Sequence, residues 1–239
     1  MVGKNVLIIG ASGDIGSAIA LKLVEEGYQL LLHYNHNLTR INEIMDKVDK
    51  ETILATYQAD LSLDKDVTKL LMNVAYPVDC IVFASGIAHY GLFQDTTEKE
   101  MEKMLSIHVK APWLIVQHFL PEMIRRKTGK IMLITSIWGE VGASNEVLYS
   151  TVKGAQNSFV KALAKEVGPS GILVNAISPG FIATKMNSQL SVEETNTIID
   201  EIPLTRAGTP KDVAEVACFL LSDASSYIHG EIIRLNGGW

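Results

Sequence analysis

The stretch NVLIIGASGDIG, Asn5 to Gly16, is an apolar run that ends in a glycine-rich turn, and Ile15 to Glu26 behind it carries apolar residues at helical spacing. Strand, turn and helix in that order predict the first βα unit of an α/β fold, with Gly27 closing the helix as a C-cap. Where a strand passes into a helix, backbone N–H groups and the positive end of the helix dipole converge, and glycine lets an anion come close. Gly10, Ser12, Gly13, Asp14, Ile15 and Gly16 are therefore the candidate cradle for a dinucleotide pyrophosphate, with an ordinary βα turn as the alternative. Asp14 stands where a further glycine is common; its carboxylate would repel a phosphate and is expected to cap the helix.

Working outward, short apolar runs recur along the chain: NVLIIG, YQLLLHY, TILATYQ, VDCIVFA, KIMLITS, ILVNAIS and EIIRLNG. Little alternation within them means strands covered on both faces, hence a doubly wound, mostly parallel seven-stranded sheet between two helical layers. With 239 residues and 47% hydrophobic composition, one α/β domain over 1–239 is expected. A net charge of −6 without a Lys/Arg run argues against a nucleic-acid or anionic-membrane partner. Cys80 and Cys218 stand alone in the sequence, which predicts a reducing compartment and no structural metal. The opening apolar run is too short for a secretory signal, and no run approaches the about 18 residues of a membrane span, so a cytoplasmic location is expected.

The second strand ends in His33-Tyr34-Asn35-His36, where an NAD site usually places a carboxylate for the ribose 2′-hydroxyl. With no carboxylate there, and His36 and Arg40 nearby, Tyr34, Asn35 and His36 favour NADP over NAD. Further on, GKIMLITS reads as a strand ending at Ser136, and LYSTVKGAQNSFVKALAKEV as a helix with Tyr149 and Lys153 on one face. At about 5 Å and an effective dielectric near 20, Lys153 would stabilise a Tyr149 phenolate by about 3 kcal/mol, or about 2 pKa units. Ser136, at the carboxyl end of its strand, could then hold a substrate carbonyl oxygen while the tyrosine exchanges a proton with it. The alternatives are a structural serine and a surface Tyr/Lys pair.

With these landmarks the chain resembles the short-chain dehydrogenase/reductase family from Asn5 to Gly238, through GASGDIG, ADLS (59–62), FASG (83–86), ITS ending at Ser136, YSTVK (149–153), NAISPGFIATKM (175–186) and NGG (236–238). The resemblance implies a Rossmann fold and catalysis by Ser136, Tyr149 and Lys153. It places Asp60 and Leu61 near an adenine, and Ala84, Ser85, Gly86, Pro179, Gly180, Ile182 and Thr184 along the cofactor. It also implies a homotetramer, and the threonine, serine and glutamate content of MNSQLSVEETNTIIDEIPLTRAG fits a substrate lid at about 186–208. FASG stands where the family has NNAG, and His108 where it places a relay asparagine. An imidazole can hydrogen-bond at both nitrogens, so His108 is either a proton relay or a packed core histidine.

The largest similar group is the 3-oxoacyl-acyl-carrier-protein reductases, which use NADPH on an acyl-carrier-linked ketone. Ser170 stands where they often carry an arginine for the acidic carrier. The loop IWGEVGASNEVL places Trp138, Glu140 and Glu146 at the substrate mouth, and two carboxylates there suit an amine-bearing ketone. This loop, LLLHYN, His108 and the closing NGGW are similar to the elongation factor P 5-aminopentanone reductases, which implies elongation factor P as partner. A dinucleotide-binding sensor without activity is disfavoured, because serine, tyrosine and lysine all stand at the family's spacing.

Overall fold

The computed structural model describes residues 3–188 and 190–239. The opening stretch becomes β1 (Asn5–Ile9), which runs into α1 (Asp14–Glu25) and returns as β2 (Gln29–Tyr34) parallel to it. The helix ends as expected: Gly27 takes φ +81°, its N–H bonds the Val24 carbonyl, and the Tyr28 N–H reaches back to Leu23. The unit repeats through α2 (Leu38–Met45), β3 (Ile53–Gln58), α3 (Asp64–Asn73) and β4 (Cys80–Phe83). Next, α4 (Glu98–Leu105) passes through a π-helical turn, Ser106–Lys110, into α5 (Ala111–Arg126) and β5 (Gly129–Ile134). A single helical turn, α6 (Trp138–Val141), precedes the long α7 (Val147–Val167) and β6 (Ile172–Pro179). The chain closes with α8 (Val192–Glu201), α9 (Pro210–Leu221) and β7 (Ile232–Leu235).

The strands form one parallel sheet in the order β3-β2-β1-β4-β5-β6-β7. The order reverses between β1 and β4, so their carboxyl ends open a crevice where doubly wound sheets bind ligands. Strand residues alternate between two cores. Leu7, Ile9, Ile81, Phe83 and Leu133 pack with Ile115, Phe119 and Val160 of α5 and α7, whereas Val6, Ile8, Leu32 and Val82 pack with Ile19, Leu23 and Val213 of α1 and α9. Burial on both faces explains why the strand sequences are apolar without alternation. Among the described residues no helix is long and apolar enough to cross a membrane.

One polar side chain is set into β2. His33 is 2% exposed; its Nδ1 accepts the Gly10 N–H at 3.1 Å, and its Nε2 lies 3.0 Å from the Ala59 carbonyl as donor. The imidazole thus ties the ends of β1 and β3 to β2. Burial pushes its pKa down to about 4, so the folded chain holds it neutral. The unfolded chain protonates this histidine near pH 6.5, so its contribution is complete above that pH and is lost as pH falls toward about 4. We expect urea-unfolding stability to fall across that window by on the order of 3 kcal/mol from this group. His33→Gln should be less stable at pH 7 but lose less than the wild type between pH 6.5 and 4; parallel pH curves would remove His33 as the acid-sensitive group.

Candidate active site

The turn after β1 is shaped by backbone contacts. Gly10 has φ +90°, and a Cβ there would lie 2.5 Å from the Ser85 nitrogen; a Cβ on Gly16 would lie 2.2 Å from the Gly10 carbonyl oxygen. No flexible side chain could yield at either point, so both positions demand glycine. Gly13 is the N-cap of α1, no side chain caps that terminus, and half-buried Ser12 precedes it. The amides of the first turn therefore fit an anionic group. Asp14 does not cap the helix as expected. Its Oδ2 accepts the Lys185 N–H at 2.7 Å, linking the turn to the segment before α8, and its Oδ1 lies 3.7 Å from Arg40. Ile15 packs against the α1/α9 core.

At the end of β2, Tyr34 is buried, the Asn35 carbonyl accepts Gln58 Nε2 at 2.9 Å, and His36 is exposed. Arg40 donates to Ser17 Oγ and pairs with Glu43, so a guanidinium lies beside the turn, shared with Asp14 and Glu43. Asp60 accepts the backbone and hydroxyl hydrogens of Ser62 through Oδ1, while Leu61 is buried in the core. The ladder continues beyond β4, with the Ala84 N–H donating to Ile9, and this brings Ser85 and Gly86 to the crevice. Gly180 lies against Asn236, where a Cβ would come within 2.8 Å of its Cβ. Pro179 closes β6, Thr184 begins the short turn Lys185–Asn187, and Ile182 turns into the α1/α9 core, its carbonyl taken by Asn187 Nδ2.

Beside this crevice stand three polar side chains that the sequence singled out. Strand β5 ends at Ile134, two residues earlier than read from the sequence, and Ser136 begins the turn into α6, its Oγ accepting the Trp138 N–H at 3.2 Å. The Ser136 hydroxyl lies close enough to the Tyr149 phenol to favour its anion. Lys153 Nζ, 4% exposed, donates to the Ile134 carbonyl at 2.9 Å and lies 5.5 Å from the centre of the Tyr149 ring. Strand end and helix face are thus brought together around one phenol.

The electrostatics differ from the expected lowering of the Tyr149 pKa. Burial pushes the phenol up to about 12 against the opposing Ser136 hydrogen bond, and burial alone pushes Lys153 down to about 7. Removing both groups from water penalises both charges, which the assumed half-wet dielectric left out. The buried phenol is therefore held in its neutral form.

His108 is fully buried in the π-helical turn, with Nε2 3.2 Å from the Ile87 nitrogen and 3.0 Å from its oxygen. Its ring meets Tyr149 edge-on at 5.9 Å and lies where a Gly86 Cβ would come within 2.8 Å of it. Burial, then the charge of Lys153, pushes its pKa down to about 3, and its Nδ1 has no partner among the described residues. The ring holds the Gly86–Ile87 loop and makes no bond to Lys153, a geometry that favours the packed histidine over the relay.

The two mouth carboxylates part company. Glu140 is spent on the fold: it accepts Ser178 Oγ at 2.8 Å and pairs with Arg234 at 2.7 Å, which corrects its placement against a substrate. Glu146 is half-buried at the N-cap of α7; its carboxylate caps nothing and has no hydrogen-bond or ion-pair partner among the described residues. Burial raises its pKa, and its charge reaches the Tyr149 phenol one turn away. Trp138 packs edge-on against Trp239 at 5.2 Å, an aromatic contact that the sequence reading missed because the partners lie a hundred positions apart.

A sequence profile described as enoyl-(acyl carrier protein) reductase matches residues 10–239, from the first turn to the closing tryptophan. The chain belongs to the short-chain dehydrogenase/reductase family. Within the family it is 46% identical to the uncharacterized oxidoreductase YmfI of Bacillus subtilis, over 100% of this chain and 99% of that one. It is 34% identical to the 3-oxoacyl-[acyl-carrier-protein] reductase FabG of Aquifex aeolicus, over 99% and 97% of the two chains. A solved structure assigned as an NAD(P)-dependent gluconate 5-dehydrogenase from Beutenbergia cavernae, with NADP bound at low occupancy, superposes with a TM-score of 0.94 at 28% identity, covering 100% of this chain and 97% of that one.

The short-chain dehydrogenase/reductase turn gives a direct test. Gly16→Ala drives a Cβ into the Gly10 carbonyl, so the turn must open. We expect dinucleotide affinity, read by fluorescence titration, to fall at least about tenfold while the far-ultraviolet spectrum is retained; unchanged affinity would separate the turn from cofactor binding.

Proposed function

We propose that the chain is an NADPH-dependent ketone reductase whose substrate is the 5-aminopentanone group on a lysine of elongation factor P, reduced to 5-aminopentanol. The observation that carries the substrate is Glu146: a half-buried, unpartnered carboxylate one helical turn from Tyr149 is suited to an ammonium group close to the reacting ketone. Glu140, paired with Arg234, is not available for that role. NADP is favoured over NAD by the absence of a carboxylate after β2, by Arg40 beside the turn, and by the NADP carried by the Beutenbergia cavernae relative.

NADPH supplies the hydride when bound. Ser136 donates a hydrogen bond to the ketone oxygen and polarises it, and Tyr149, buried and protonated, delivers the proton that the developing alkoxide requires. Lys153 fixes the end of β5 through the Ile134 carbonyl and lies against the phenol ring, where its charge opposes the cost of a transient phenolate. The segment 186–208, of which Gln189 lies outside the described residues, serves as the substrate lid. Its helix α8 has no buried residue, while Ile202 is anchored at 2% exposure and the Leu204 N–H bonds the Gly237 carbonyl. A second reading, reduction of an acyl-carrier-linked 3-oxoacyl group, is favoured by the FabG relatives and disfavoured by half-buried Glu146 and the serine at 170.

The deciding experiment follows NADPH oxidation with elongation factor P carrying 5-aminopentanone and with an acetoacetyl thioester at matched concentrations. Fast turnover of the modified factor beside a sluggish thioester is expected; the reverse would move the chain to the fatty-acid reductases. Tyr149→Phe should leave NADPH affinity within about twofold and lower kcat by a factor on the order of a thousand, and near-normal turnover would overturn the proton-donor role. Glu146→Gln should raise KM for the amine-bearing ketone and leave the neutral thioester unchanged; an equal effect on both would reassign the carboxylate to a structural role.

A further inference from the structure

Glu140 stands in a one-turn helix that is held on both sides. On one side Gly139 lies on α7, where a Cβ would come within 2.6 Å of the Lys153 carbonyl carbon, so the turn rests on the backbone that carries the lysine. On the other side Glu140 spans two strands. Ser178 of β6 and Arg234 of β7 are register partners, and the carboxylate takes Ser178 Oγ with Oε1 and both Nε and a terminal nitrogen of Arg234 with Oε2, at 2.8, 2.8 and 2.7 Å. The backbone repeats the attachment: the Ile137 N–H bonds the Pro179 carbonyl, the Gly139 N–H bonds Ser136, and the Trp138 N–H bonds Ser136 Oγ.

We propose that Glu140 is a positioning residue that sets the place of the Ser136 hydroxyl by clamping α6 between α7 and the β6/β7 strand pair. Without the clamp, α6 keeps only the Ile137 N–H bond to Pro179 as its hydrogen bond to these strands, and Ser136 gains freedom to move relative to Tyr149. Displacements of about 1 Å at a reacting centre cost up to about a hundredfold in rate. The ion pair is too exposed, at 21% and 60% of the two side chains, to contribute much to global stability. Its effect falls on geometry. The charges on both partners are secure near neutrality: burial disfavours the Glu140 carboxylate, but Arg234 and Ser178 outweigh it and hold the carboxyl below its usual range.

The test uses Glu140→Gln, Arg234→Gln, Arg234→Lys and the double variant E140Q/R234Q of the full chain, with two readouts. Amide hydrogen exchange, which is independent of any substrate, should accelerate at residues 137–142 in both single Gln variants while the melting temperature stays within about 2 °C; R234K should exchange more slowly than R234Q. With an acetoacetyl N-acetylcysteamine thioester and NADPH, kcat should fall about tenfold in each Gln variant with KM unchanged, and the double variant should be no worse than the poorer single. Wild-type exchange at 137–142 in R234Q would overturn the clamp, since Arg234 is exposed enough to replace without unfolding. So would a kcat equal to wild type, or an increase in KM alone, which would return Glu140 to the substrate wall. Thioester turnover too slow to measure in the wild type would leave the ketone-reductase reading to the modified factor, and the exchange result alone would decide the clamp.

Discussion

The architecture depends on a close approach of bare backbone at the switch point of the sheet. Gly10 sits against Ser85 and Gly16 against the Gly10 carbonyl, so the end of β1, the start of α1 and the segment after β4 occupy a space with no room for a side chain. This contact sets the depth of the crevice. The β6–β7 end repeats it, where Gly180 lies against Asn236. His33 holds the same region from below through the Gly10 N–H. The conformation of the turn is thus dictated by backbone van der Waals contact and one buried imidazole.

Burial gives the chemistry its character. The same apolar layers that stabilise the sheet surround Tyr149, Lys153 and His108, and each is driven toward its neutral form. In the proposed reaction the neutral phenol, beside an amine whose pKa is held near 7, gives up its proton as negative charge develops next to it. Hydrogen bonds orient two of them: the Ile134 carbonyl accepts from the Lys153 amine, and Ile87 holds the His108 imidazole.

Much of this was legible in the residues. The apolar runs marked the strands because two-sided burial removes alternation, and the spacing of Tyr149 and Lys153 gave their shared face because a helix repeats every 3.6 residues. What stayed hidden depended on which distant segments meet. Nothing local pairs Glu140 with Arg234, 94 positions away, or Asp14 with the amide of Lys185, 171 away; both follow from strand register and the return of the chain. Arg234 interrupts the apolar run IIRL, the one local sign that this strand meets a carboxylate. The sign of the Tyr149 shift was missed for a related reason: a charge partner is visible in a sequence, and the depth of its burial is not.

The π-helical turn at Ser106–Lys110 has its own consequence. A turn that takes in one extra residue advances everything after it by about 100° around the axis. The rod formed by α4 and α5 is therefore out of phase with itself. Before the turn, Met104 faces Val152 of α7; beyond it, Ile115, Phe119 and Met123 face the sheet. The His108 carbonyl, whose helical i+4 partner Pro112 has no N–H, is taken by Gln156 Nε2 at 2.7 Å. One rod thus serves two packing directions, and His108 stands at the joint between them.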